Sequence, residues 1–170
     1  RHASLLADLV SVRPLFVFNL CDTGFMNQAA RELHVPALLE MQQIPYSGAG
    51  PAALALCYDK ALVSAIAREL GIPVPLQLDL ATHDPNRLAD MPFPALVKPR
   101  CADGSLGLTQ GSVVQDAVAA QAYIDHLRRE LPEAGVLVQE FLPGREISIG
   151  LIGNPGFDWI MLPPLEVDYS

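Results

Sequence analysis

Five consecutive residues, Ser47-Gly48-Ala49-Gly50-Pro51, limit what this chain can fold into more than any other feature. Permissive glycines beside a proline give neither a helix nor a strand a way through, so the elements on either side form separately. We read this run as a domain boundary. Before it, Leu5 to Val12 has helical spacing and Pro14 stops it. Leu15-Phe16-Val17-Phe18-Asn19-Leu20 is a short apolar run ending in Asp22-Thr23-Gly24, which predicts a buried strand leaving into a polar loop. Pro36 to Met41 predicts a helix with proline near its first turn, and Ile44-Pro45-Tyr46 is extended. Residues 1–48 therefore read as the tail of an α/β domain.

After the boundary the punctuation is denser. Pro51 to Leu56 is a short helix, and Asp59 starts a second with apolar positions at Leu62, Ala65, Ile66 and Leu70. Gly71 ends it, and Pro73 and Pro75 prevent continuation. Gln77 to Leu80 is strand-like. Ala95-Leu96-Val97-Lys98 is a strand boxed between Pro94 and Pro99, which should spoil ordinary sheet pairing. A loop from Arg100 to Gly107 precedes an extended piece at Val113-Val114. Ala117 to Leu131 is a helix with an apolar stripe through Ile124 and Leu127, and Val136 to Leu142 is a strand. Pro143-Gly144 turns the chain into Glu146 to Leu151, whose alternation predicts a half-buried antiparallel strand. Asn154-Pro155-Gly156 is a hairpin turn, Trp159 to Leu162 returns, and Leu165 to Tyr169 is extended. This order predicts an α+β fold with mostly antiparallel sheets.

Composition excludes several classes of function. With 170 residues, 51% hydrophobic and 18% charged, the chain can bury a core and is not a disordered segment. No apolar run approaches the roughly 20 residues of a membrane helix. The opening Arg1-His2-Ala3-Ser4 is not a signal peptide, so a soluble, cytoplasmic protein without a membrane partner is expected. A net charge of −8 argues against a nucleic-acid partner. Cys21, Cys57 and Cys101, with His2, His34, His83 and His126, are too scattered for a disulfide framework or a transition-metal site. An opening at Arg1 without Met, and an end at Ser170 just after an extended stretch, suggest a piece of a longer protein.

Only two of the 11 basic residues are lysines, Lys60 and Lys98. Lys60 follows the capping Asp59, where the positive end of the helix dipole disfavours a cation by a few tenths of a kcal/mol. Either it is a solvated surface lysine or it has a task. Lys98 lies inside an apolar strand, where it must reach an edge or meet an anion. Gly104-Ser105-Leu106-Gly107 can bring backbone N–H groups close to an anion, or can simply turn a hairpin. Gln139-Glu140-Phe141-Leu142 ends a strand just before a turn. Exposed backbone there can read a flat base edge through one C=O and one N–H, and Glu146 beyond it suits ribose hydroxyls; the alternative is a solvated edge strand.

Taken together, these features resemble the ATP-grasp ligases, and most closely their D-alanine–D-alanine ligase-like group. The resemblance rests on Val35-Pro36-Ala37-Leu38-Leu39-Glu40, Ile44-Pro45-Tyr46-Ser47-Gly48, Ala53 to Lys60, Gly71-Ile72-Pro73-Val74-Pro75 and Leu96-Val97-Lys98-Pro99. It continues through Asp103-Gly104-Ser105-Leu106-Gly107 and Glu140-Phe141-Leu142-Pro143-Gly144-Arg145-Glu146. The resemblance implies an ATP-grasp N-terminal lobe over 49–142 and the first strands of a second lobe over 143–170. It implies that Lys60 and Lys98 contact ATP phosphates and that Gly104, Ser105 and Gly107 form a loop over them. Gln139, Glu140 and Leu142 would then hold adenine, the last two through backbone, and Glu146 would hold ribose. Gln139 stands where Glu is common.

The implied activity is an ATP-dependent carboxylate–amine ligation through an acyl-phosphate, with ATP and an amino acid as substrates. Mg2+ is the implied metal, its ligands expected beyond residue 170, so that no metal ligand and no catalytic residue can be assigned within the chain. The isolated 170 residues are expected to be inactive. Open sheet edges leave room for a homodimer. Other readings are a non-catalytic nucleotide-binding or assembly protein lacking the metal half, and an ATP-grasp ligase for another amino acid or peptide.

Overall fold

The computed structural model describes residues 4–22, 24–81, 85–102, 104–154 and 156–168. Arg1, His2, Ala3, Thr23, His83, Asp103, Pro155, Tyr169 and Ser170, named above, lie outside them. The N-terminal elements are α1 (Leu5–Val12) and α2 (His34–Met41), with short 3-10 turns between them. They pack through Leu9, Val35 and Leu39, flanked by Leu5, Val17, Ile44 and Tyr46. Tyr46 donates its hydroxyl proton to Glu40 at 2.8 Å. Burial and the Glu40 carboxylate push that phenol up to about 12.

The apolar run Leu15–Leu20 departs from expectation. It forms no strand beyond a single parallel bridge between Val17 and Tyr46, and Leu15 and Leu20 are 93% and 77% exposed. A buried parallel strand needs neighbours along both edges and covering helices. Among the described residues the only backbone alongside is the short stretch Pro45 to Ser47, where the Val17 N–H donates to the Pro45 carbonyl at 2.8 Å and the Ser47 N–H to the Val17 carbonyl at 3.0 Å.

Beyond the glycine-rich break come α3 (Pro51–Tyr58) and α4 (Lys60–Glu69). Pro51 sits in the first turn of α3, where a missing N–H costs nothing. Gly71, at φ +72°, takes the left-handed position just after α4. The main sheet follows, with β1 (Gln77–Asp79), β2 (Ala95–Pro99), β3 (Val113–Val114) and β4 (Val136–Glu140) in the order β1-β4-β2-β3, all antiparallel. Helix α5 (Ala117–Glu130) connects β3 to β4. It lays Ala120, Ile124 and Leu127 on one face of the sheet, against Leu78, Val97, Val136 and Val138. Each fully buried Leu, Ile or Val side chain there stabilises the fold by about 1.5–3 kcal/mol.

Strand β2 corrects the expectation that its flanking prolines would prevent pairing. All five of its residues, Pro99 included, are in register with β4, and Pro99 faces Val136. On the other side β3 reaches only Ala95 and Leu96. Past Leu96 no strand among the described residues pairs with that flank, and a residue lacking an N–H is tolerated there. The alternation of β2 places Ala95 and Val97 in the α5 core and sends Leu96 and Lys98 to the opposite face.

The chain ends in two small antiparallel pairs. β5 (Glu146–Ser148) pairs with β8 (Leu165–Val167), and β6 (Leu151–Ile152) pairs with β7 (Ile160–Met161). The segment from Glu146 to Leu151 is thus split between two partners rather than one strand. Both β5 and β6 are exposed throughout rather than half-buried, because among the described residues no layer packs on either face. No helix among the described residues is long and apolar enough to cross a membrane.

Candidate nucleotide site

Lys60 is placed by its neighbour. The Asp59 carboxylate accepts the N–H groups of Ala61 at 3.0 Å and Leu62 at 3.2 Å, which starts α4 at Lys60. The same residues are stitched to the chain leaving β2: Asp59 bridges Cys101, and the Lys60 N–H donates to the Arg100 carbonyl at 3.2 Å. The Lys60 ammonium donates to the Ala102 carbonyl. These contacts carry Lys60 to the face of the sheet that presents Lys98.

Lys60, Lys98, Gly104, Ser105, Leu106 and Leu108 line one cavity of about 250 Å³. Lys98 is half-buried, and its ammonium has no hydrogen-bond or ion-pair partner among the described residues. Burial pulls its pKa below the ordinary lysine value, and the nearby Lys60 charge adds to the effect. Two cations converging on one cavity are each stabilised by an anion placed between them.

The loop beside them is shaped by backbone conformation. Gly104, Ser105 and Gly107 have φ of +56°, +60° and +72°. Gly104 and Ser105 line the cavity, but Gly107 does not. A side chain at Gly107 would meet Leu131 and Pro99 at 2.9 Å. Its carbonyl accepts from the Tyr123 hydroxyl at 3.1 Å, and that hydroxyl accepts from Ser112 at 2.8 Å. Gly107 is thus the anchored end of the loop. Changing Gly107→Ala combines a strained φ with overpacking and is expected to cost about 1–3 kcal/mol, read as a lower urea midpoint with an unchanged slope. An unaltered midpoint would mean that the loop end is not held by this contact.

At the end of β4, Gln139 lies opposite Leu96 and shares the Lys98 face, two residues or about 7 Å further along. The Glu140 N–H donates to the Leu76 carbonyl at 2.8 Å, and the Phe141 N–H to the Pro94 carbonyl at 3.1 Å. The Glu140 C=O and the Leu142 N–H have no partner among the described residues. Leu142 is 59% exposed. One acceptor and one donor two residues apart thus stand open at the strand end. Glu146 opens β5, exposed and opposite Val167, and is not among the residues lining the lysine cavity.

Sequence reasoning passed over Arg100 and Asp79. Arg100 grips Asp59 through two bonds, Nε to Oδ1 at 3.0 Å and Nη2 to Oδ2 at 2.6 Å, and reaches Asp79 through Nη1 at 2.8 Å. Asp79 is only 6% exposed. The guanidinium holds the Asp59 carboxyl below the usual carboxylate range, and the carboxylates raise the Arg100 pKa further. This cluster joins the start of α4, the end of β1 and the exit from β2, and so sets the position of Lys60. The one signal in the sequence was an arginine directly after Lys98-Pro99.

No protein-family model matches the chain. Among curated proteins it is 33% identical over 152 residues to the uncharacterized protein y4sG of Sinorhizobium fredii, covering 89% of this chain and 43% of that one. It is 32% identical over 149 residues to a D-alanine–D-alanine ligase of a Marinomonas species, covering 86% of this chain and 45% of the ligase. Among solved structures, the D-alanine–D-alanine ligase of Bacillus anthracis complexed with ATP superposes on all of this chain and 53% of its own, with a TM-score of 0.69 and 20% identity. The chain spans less than half the length of these curated relatives. The fold is therefore α+β of the ATP-grasp class. The chain belongs to the D-alanine–D-alanine ligase-like ATP-grasp family.

Proposed function

We propose that this chain is the nucleotide-holding part of an ATP-dependent carboxylate–amine ligase of D-alanine–D-alanine ligase type. In this reading residues 1–48 are the tail of a preceding α/β domain, 49–142 the N-terminal ATP-grasp lobe and 143–170 the start of the second lobe. The observation that carries it is the convergence of Lys60 and Lys98 on one cavity beside Gly104 and Ser105.

The chain's own residues divide the work. The adenine edge lies against the Glu140 C=O and the Leu142 N–H, with the Gln139 side chain on the same face as Lys98. The phosphates enter the cavity, where Lys60 and Lys98 offset their charge and stabilise negative charge as it moves in phosphoryl transfer. Gly104 and Ser105 cover the phosphates and limit water, which protects an acyl-phosphate from hydrolysis until an amine attacks it. Glu146 serves the ribose hydroxyls. The Mg2+ expected for such a reaction would add charge stabilisation at the phosphates; such ions are held by one or two carboxylates together with phosphate oxygens, and its protein ligands are proposed to lie beyond residue 170. No step is assigned to it here.

Two measurements test this reading. Calorimetry of the protein with ATP should give saturable binding, and absence of binding overturns the proposal. The 170-residue chain with ATP, Mg2+ and D-alanine should release no phosphate above background, whereas a chain that includes the remainder of the relatives' length should turn over. Turnover by the 170 residues alone would mean that the metal site lies within them, with Glu166 and Asp168 the first candidates.

A further inference from the structure

The side chain of Glu140 does something at the hinge that its backbone role does not require. Strands β1 and β4 pair with Gln77 opposite Gln139, which makes Leu76 and Glu140 the next pair of the ladder. Half of that pair is made, the Glu140 N–H donating to the Leu76 C=O at 2.8 Å. The reciprocal bond, Leu76 N–H to Glu140 C=O, is the one an antiparallel ladder would add. Instead, the Leu76 N–H donates to Glu140 Oε2 at 3.1 Å. The carboxylate has taken the donor that would otherwise occupy its own carbonyl.

Alternation puts the Glu140 side chain on the side of Val136 and Val138, in the α5 core, and opposite to Lys98 and Gln139. The carboxylate therefore stands away from the face on which the nucleotide is proposed to lie.

Resting on the nucleotide reading above, we propose that the Glu140 carboxylate is a positioning residue that reserves the hinge carbonyl for a hydrogen-bond donor on the ligand's base, so that it sets selectivity for a purine bearing an exocyclic amine. A carbonyl already bonded in the ladder is aimed at β1 and is a poorer acceptor for a second donor. One neutral hydrogen bond in such a setting corresponds to about tenfold in affinity.

The test compares ATP with purine riboside triphosphate, which lacks the 6-amino group, by calorimetry on the whole protein. The wild type should favour ATP by about tenfold. Glu140→Leu should bind ATP about tenfold more weakly and purine riboside triphosphate within about twofold of wild type, so that the preference disappears. Glu140→Gln, which keeps an acceptor of the same reach, should keep the preference. Glu140→Asp, one methylene short of the Leu76 N–H, should lose it in part, and it provides a second reading should the Leu variant fold poorly. A wild type that binds ATP, with Leu and Asp variants that keep its preference or lose both nucleotides equally, overturns the role of the carboxylate alone. A wild type that binds neither nucleotide overturns the nucleotide reading and this inference together.

Discussion

Replacing Lys98 with Met in the full-length protein is expected to weaken ATP binding by about 30- to 1000-fold, or about 2–4 kcal/mol. Met keeps the length and much of the shape of the lysine stem, so packing beside Leu96 and Leu137 survives while the charge does not. Lys98 is half-buried with no partner among the described residues, and burial and Lys60 together depress its pKa. A phosphate in that cavity would relieve both costs at once. Lys60→Arg keeps a cation at the start of α4 and should cost only a few-fold. The variant also carries its own control. A lysine whose folded pKa lies below its unfolded value weakens the fold wherever it is charged, and the penalty fades as pH rises through the folded pKa toward the ordinary 10.5. Lys98→Met should therefore be no less stable than wild type at pH 7, and slightly more stable. Calorimetry with ATP and urea unfolding give both numbers, and equal ATP affinities would refute the role of Lys98.

Arg100→Ala should be the most destabilising of these substitutions, by about 3–5 kcal/mol, because it leaves a buried carboxylate at Asp79 without its cation and releases Asp59 from the forked pair. Arg100→Lys should recover only part of this, since a single ammonium cannot span both carboxylates as the planar guanidinium does. The pH dependence has a definite sign. Arg100 holds the Asp59 carboxyl below its ordinary 3.8, so its stabilisation is complete above that value and is lost as pH falls through the lower folded pKa. Removing Arg100 should flatten this acid limb as well as lowering stability at pH 7. Urea titrations of both proteins at pH 7 and near pH 3 measure it. An undiminished acid limb in the Ala variant would mean that Asp59 owes its depressed pKa to the two helix N–H groups alone. Because Asp59 and Arg100 together fix the start of α4, the variant should also bind ATP less well than its loss of stability requires.

Much of the local structure was legible in the sequence because its causes are local. Pro14, Pro51, Asp59 and Gly71 set helix ends through φ, a missing N–H or a capping oxygen, and the helices begin or stop at those residues or beside them. The apolar stripe of α5 was legible as well, since Ile124 and Leu127 face one way whatever they meet. Lys60 and Lys98 stood out because each breaks a local preference, one at the positive end of a helix and the other inside an apolar strand. Strand fate was harder to read. Leu15–Leu20 and Glu146–Leu151 both carry strand patterns, yet whether such a run is buried depends on which layers cover it, and that is not written in the run itself.

The sequence by itself determined where the five α-helices among the described residues lie, with α2 starting at His34 rather than Pro36 and α3 running on to Tyr58 rather than Leu56, which face of α5 is apolar, and that two lysines occupy positions a structural role alone would not favour. Only the tertiary structure decided that those lysines share a cavity, that Arg100 binds Asp59 and Asp79 across 41 and 21 residues of chain, and that the Glu140 carboxylate takes the Leu76 N–H. Capping, φ preference and periodicity act within a few residues, so they can be read along the chain. Ion pairs and ladder register join segments far apart in it, and they become definite only once the sheet has set which residues stand opposite one another.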